Sequence, residues 1–206
     1  MPDLYSNIHL VVRWLHVLAG IIWIGHLYFF NFVNVPLQAS LDDATKKAVN
    51  PQLLPRALWW FRWGAMITLL AGLALFTLLY MYTPGVGFGP TSLFRDANGL
   101  TSRAAWILIG MTLGAVMWLN VWFIIWPAQK ALLTGKIPAD QAPAVRKRAL
   151  KTSRINAFLS GPMLFGMVAP AHYGAVSPGA LCLALGLGAV AIWMSLRASG
   201  SVGKLT

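Results

Sequence analysis

Acidic residues are scarce in this sequence: 5 Asp+Glu stand against 16 Lys+Arg in 206 residues, and only 10% of the chain is charged. Soluble domains carry roughly a quarter charged residues, so this shortage argues for a lipid environment. The five acids are Asp3, Asp42, Asp43, Asp96 and Asp140, all expected in loops or at the terminus, which leaves no buried acid/base pair. The formal net charge of +11 would suit nucleic acid if the cations formed one patch on a folded surface. They lie between apolar runs instead, so nucleic acid is not an expected partner and the charge reads as a topology signal. Cysteine is almost absent too. Cys182 stands alone, which excludes intramolecular disulfides, C-x-x-C redox pairs, Cys-based zinc sites and covalently attached haem; the thiol reads as inert packing. The N-terminal segment has no basic region, and the apolar run after it is too long for a signal-peptide core, so it is expected to stay in the mature protein.

What fills the chain is apolar: 58% of residues are hydrophobic and the mean hydropathy is +0.65. About 20 apolar residues cross the roughly 30 Å hydrocarbon layer. Runs of that size predict an all-α polytopic bundle in one membrane domain, 1–206, with about five transmembrane helices near 8–35, 58–82, 104–126, 155–173 and 179–196. The last two share a stretch with no charge between Arg154 and Arg197. That stretch is split at His172-Tyr-Gly-Ala-Val-Ser-Pro-Gly179, because Gly and Pro mark a reversal. Lys46, Lys47, Arg56 and Arg62 flank the first loop. Lys130, Lys136, Arg146, Lys147, Arg148, Lys151 and Arg154 fill the third, and Arg197 and Lys204 follow the last helix. Only Arg95 and Arg103 fall on the other side. Positive residues collect on the cytoplasmic face, which places the N-terminus outside and the C-terminus in the cytoplasm. The Gly- and Pro-rich segment 83–102 lacks the ending of a phosphate-cradling loop and reads as an external connection. The basic stretch Arg146–Arg154 reads as a positive-inside loop rather than a dedicated lipid site. No internal repeat or low-complexity tract is evident.

All four histidines, His9, His16, His26 and His172, fall in or at the edge of predicted helices, where ionisable groups are costly and usually functional. Seven residues of helix turn about 20° beyond full revolutions, so His9 and His16 share a face, with Arg13 nearly on it. His26 points about 80° away. A b-type haem in a helical bundle commonly sits between histidines of two helices, and His16 with His172 is the first axial pair expected. Gly20 leaves room for a flat macrocycle, and Arg13 or, less favoured, Arg62 is positioned for a propionate. His9 on its own reads as an interface marker. One haem b is expected rather than two. Most of the ten tryptophans read as an interfacial belt. Asn120, inside the third helix, needs a partner, while Ser160-Gly161-Pro162 and Gly166 suggest close helix contact or a kink.

The segments Trp14-Leu-His16-Val-Leu-Ala-Gly-Ile-Ile-Trp23-Ile-Gly25-His26, Phe61-Arg62-Trp63-Gly64-Ala65, Asn120-Val-Trp122-Phe-Ile-Ile-Trp126-Pro127 and Ser153-Arg154-Ile-Asn156 through Pro162-Met163-Leu164-Phe165 resemble the membrane domain of bacterial membrane-bound urate oxidases. More distantly, the first helix resembles membrane protoporphyrinogen oxidases and copper-resistance membrane proteins. In those oxidases the histidine matching His16 is thought to bind haem. The urate oxidase family couples its membrane domain to a C-terminal cytochrome c. This sequence has no C-x-x-C-H, so the resemblance implies a separate cytochrome c or another redox subunit as partner. The leading expectation is a membrane-embedded, cytochrome b-like haem protein of a bacterial inner membrane, taking part in electron transfer. The alternatives are an oxidoreductase acting on urate or protoporphyrinogen, and a non-catalytic anchor or assembly subunit of a larger complex.

Overall fold

The computed structural model describes residues 3–203; the basic residue Lys204 counted above lies outside them. Five long helices make up the described residues: α1 (Leu4–Ser40), α2 (Asp43–Tyr80), α3 (Ser102–Leu133), α4 (Ala142–His172) and α5 (Pro178–Ala198). Four of them, α1, α2, α3 and α5, are long and apolar enough to cross a membrane. The fourth in sequence, α4, lies between α3 and α5 and packs along both. The chain is a multi-pass helical membrane protein.

A helix covers each of the five expected stretches, the one expected at 155–173 lying in α4, and the helices run further at one end. Residues 43–57, expected to lie outside the second span, continue α2 without a break through Pro51 and Pro55. Asp42 starts that helix by accepting the Thr45 amide at 2.8 Å, a contact that holds its carboxyl below the usual carboxylate range. A helix of 38 residues is about 57 Å long, well beyond the hydrocarbon thickness. A reciprocal amide pair, Gln38 Nε2 to Asn50 Oδ1 at 2.8 Å and Asn50 Nδ2 to Gln38 Oε1 at 2.9 Å, ties the extensions of α1 and α2 together. This end carries most of the Lys and Arg and is called the basic end below. The opposite end carries two small antiparallel hairpins, β1 (Tyr82–Thr83) with β2 (Gly87–Phe88), and β3 (Arg95–Asp96) with β4 (Gly99–Leu100). It is called the hairpin end. The expected reversal at 173–177 is there, held to α3 by the Trp106 indole, which donates to the Gly174 carbonyl at 3.1 Å.

Helices in lipid gain nothing from hydrophobic burial against each other and associate through close packing and polar contacts. Here α3 and α4 touch backbone to backbone: a Cβ added at Gly166 would lie 2.8 Å from the Gly110 nitrogen and Cα. A Cβ at Gly161 would meet Gly188 of α5 at 2.7 Å. The small residues flagged in the sequence therefore serve contact. Asn120 finds its partner as expected, its Nδ2 donating to Asn156 Oδ1 at 2.7 Å, while Asn156 Nδ2 donates to the Met117 carbonyl at 2.9 Å. The core joins four helices through Trp23, Leu27, Phe61, Ala65, Met117, Val121 and Met163. Cys182 is exposed on α5 instead of packed inside.

Two π-helical turns, Phe29–Asn34 in α1 and Asn120–Ile125 in α3, were not foreseen. Each ends two residues before a proline, Pro36 or Pro127. A proline ring collides with the carbonyl four residues back. The chain responds by widening the preceding turn: the amides of Val35 and Trp126 reach five residues back, to Phe30 and Val121. The parallel extends further. Arg56-Ala57-Leu58, Arg62, Ala65 and Thr68 on α2 have counterparts in Arg148-Ala149-Leu150, Arg154, Ala157 and Ser160 on α4 at identical spacing, with the two alanines of each set buried. The pairs α1–α2 and α3–α4 thus share this spacing as well as the π turn before a proline.

Opposite responses are expected from two glycine substitutions. Gly166→Ala, which forces α3 and α4 apart, should lower the thermal midpoint of the detergent-purified protein by an amount corresponding to about 1–3 kcal/mol. Gly186→Ala, with nothing within 4 Å of the new Cβ, should leave it unchanged or raise it.

Candidate functional site

His16 is held across two helices. Its Nδ1 lies 2.9 Å from the carbonyl oxygen of Thr68 on α2. A carbonyl only accepts, so Nδ1 carries the proton and Nε2 keeps its lone pair. The Thr68 hydroxyl turns back to the Gly64 carbonyl at 2.7 Å and leaves the main-chain oxygen to the histidine. The ring lies flush against α2 at Gly72, where an added Cβ would stand 2.9 Å from His16 Cε1. No side chain larger than glycine fits there without moving the imidazole. Gly20, read as open space for a cofactor, instead faces Thr68, whose Cγ2 would be 3.9 Å from an added Cβ.

The other histidines are placed differently. His9 is half-buried near the hairpin end, 6.4 Å ring to ring from Tyr5, and its Nε2 takes a hydrogen bond from Arg13 Nη2 at 3.3 Å, so its lone pair is occupied. His26 donates from Nδ1 to the Ile22 carbonyl of its own helix at 2.7 Å. Its Nε2 is open like that of His16, but nothing anchors it to a second helix. His172 is the exposed last residue of α4, and no hydrogen bond or ring contact joins it to His16 among the described residues. No cluster of three or more His, Cys, Asp or Glu side chains occurs among those residues.

Arg13 is half a site. Together with Arg103, at the start of α3, it lies within electrostatic reach of the Tyr80 phenol at the end of α2, so α1, α2 and α3 converge there. Neither arginine has an acidic partner: the single ion pair among the described residues is Lys46 with Asp43. Arg103 and Tyr80 were missed in the sequence. The available signal was that Arg103 is one of only two Lys or Arg residues in the connection on the side poor in positive charge. Arg62 sits elsewhere, toward the basic end, stacked against three indoles with its guanidinium carbon 4.0 Å from the Trp126 ring, 5.1 Å from Trp122 and 5.6 Å from Trp63.

Together these features define a helical membrane protein with one imidazole fixed between two helices and its second nitrogen available, one to two turns below a pair of unneutralised arginines. The urate oxidase N-terminal family matches residues 41–88 and 90–196, and the chain belongs to that family. It is a membrane-bound relative of urate oxidase. The matched segments begin after α1, the helix that carries His9, Arg13, His16 and His26. No curated protein and no solved structure matches the chain.

The tautomer is checkable. In histidine-labelled protein, nitrogen NMR should show His16 protonated at Nδ1, and Gly72→Ala should abolish that hydrogen-bonded signal while leaving the His26 signal in place.

Proposed function

We propose that this protein is a membrane-embedded haem b protein taking part in electron transfer, with His16 as an iron ligand. The observation that carries this reading is the Nδ1 bond to the Thr68 carbonyl. Histidines that bind metal almost always donate their second ring N–H to a carbonyl or carboxylate, which fixes the ring and raises its basicity. His16 has that arrangement, across helices, with Nε2 open. A haem held there supplies reversible one-electron transfer at a potential set by its ligands and surroundings. Arg13 and Arg103 are the residues suited to its propionates, through charge-assisted hydrogen bonds that no protein carboxylate competes for.

Orientation follows from charge. In a bacterial inner membrane with the basic end in the cytoplasm, His16 occupies the outer half of the bundle, where a periplasmic cytochrome c or another redox subunit can exchange electrons with it. His172 is the proposed second ligand. It stands exposed at the outer end of α4.

Family membership favours a second reading, oxidation of urate by this chain together with a redox partner. Urate turnover by the purified protein with added cytochrome c tests it.

The purified protein should show a b-type reduced-minus-oxidised spectrum. His16→Ala should lose most of it. His172→Ala should keep the haem but convert a low-spin spectrum to a high-spin one. Wild-type protein without bound haem, or full haem in His16→Ala, rules the assignment out.

A further inference from the structure

Arg62 lies in a seam between α2 and α3 where several donors have no acceptor. Its Nε and the indole Nε1 atoms of Trp118 and Trp122 are all buried and unpartnered. The two indoles are neighbours, their rings 6.3 Å apart, and Arg62 lies over Trp122. Leaving a buried donor unpaired costs about 1–3 kcal/mol, and native structures carry few such groups. Three in one cluster, all donors, mark a place that accepts a molecule with acceptor oxygens. An arginine in a membrane helix with no acid nearby points the same way.

Depth and shape narrow the ligand. About 20 residues span the hydrocarbon; counted from Tyr80 back along α2 and from Ser102 forward along α3, they reach Phe61 and Val121. The cluster therefore sits at the boundary of the hydrocarbon layer on the basic side. Its walls are flat, the indoles of Trp63, Trp122 and Trp126 around the guanidinium. Trp59, Trp60 and Trp63 expose their faces next to it on the outer surface of α2. A phosphate has exposed cations at the same end, Arg56, Lys151 and Arg154, and needs no indole N–H. Two of the three orphan donors are neutral and lie in stacking walls, which suits a flat, uncharged molecule with carbonyl oxygens.

We infer that Arg62, Trp118 and Trp122 bind the headgroup of a membrane-soluble quinone, its carbonyl oxygens accepting from these nitrogens and its tail lying in the bilayer along α2. Arg62, Trp118, Trp122 and Trp126 are only half-buried, so side-chain rotation exposes the nitrogens without parting the helices. The inference deepens the proposed electron-transfer role by naming a lipid-phase partner, and its physical basis is independent of haem.

Decylubiquinone is titrated by calorimetry into the protein in neutral phosphatidylcholine nanodiscs, with and without bound haem. Saturable binding at one per chain is expected. It should weaken at least tenfold in Trp118→Phe/Trp122→Phe, which keeps an aromatic ring at each position and removes both N–H groups, and in Arg62→Gln, while Arg56→Gln stays as wild type. Circular dichroism and the thermal midpoint confirm that each variant folds. Equal affinity in all four proteins overturns the inference. So does a seam that binds cardiolipin in an Arg62-dependent way and leaves decylubiquinone unbound. Binding by haem-free protein upholds this site even if the haem assignment fails.

Discussion

Close backbone contact between helices is the constraint on which the rest of this structure depends. In a bilayer the apolar side chains have lipid as an equally good neighbour, so the helices must be brought together by contacts that lipid cannot imitate. Gly110 against Gly166 and Gly161 against Gly188 supply them for α3, α4 and α5, with the Asn120–Asn156 amide pair fixing the register. On the other side of the bundle, Gly64 lets α2 approach the Trp23 backbone of α1, and Gly72 lets the His16 ring lie flat on α2. The histidine reaches the Thr68 carbonyl because the helices are that close. The site is thus a product of packing, and a single methyl group at position 72 would undo it.

The two helical hairpins share a plan and differ in chemistry. Both have a proline-induced π turn, and both have a buried alanine pair followed by a buried hydroxyl, Thr68 or Ser160. Yet in the first hairpin Thr68 faces a histidine, and in the second Ser160 faces Tyr28 at 2.9 Å. Arg62 is caged by tryptophans, while its counterpart Arg154 is exposed. The candidate groups His16, Arg13 and Arg62 lie on the α1–α2 pair and at its seam with α3. The family match covers the scaffold from α2 to α5, His172 included, whereas His9, His16 and His26 lie on α1.

Much of this was legible in the sequence because membrane physics writes strong signals. Length of apolar run gave the helices, the Gly-Pro stretch near Ser177 gave the last reversal, and the buried amide of Asn120 demanded the partner it has. Helix extent was not legible: hydropathy ends where lipid ends, whereas α2 continues through Pro51 and Pro55 into the basic end. The spacing shared by α2 and α4 was hidden because most intervening residues differ, Trp59-Trp60-Phe61 standing where Lys151-Thr152-Ser153 stands in the second hairpin. Spacing on one helix put His9 and His16 on a common face. Only the packing of α2 separates them, leaving one bonded to Arg13 at the surface and the other to the Thr68 carbonyl. Arg103 and Tyr80 needed three helices to meet before they could be seen as neighbours of Arg13.

The claim that His16 holds haem iron is tested most directly by the haem content of the purified protein, measured as the pyridine haemochromogen and divided by chain concentration. The account predicts haem b near one per chain in the wild type and near zero in His16→Ala. It is contradicted if no haem accompanies the protein and added haemin binds wild type no more tightly than His16→Ala.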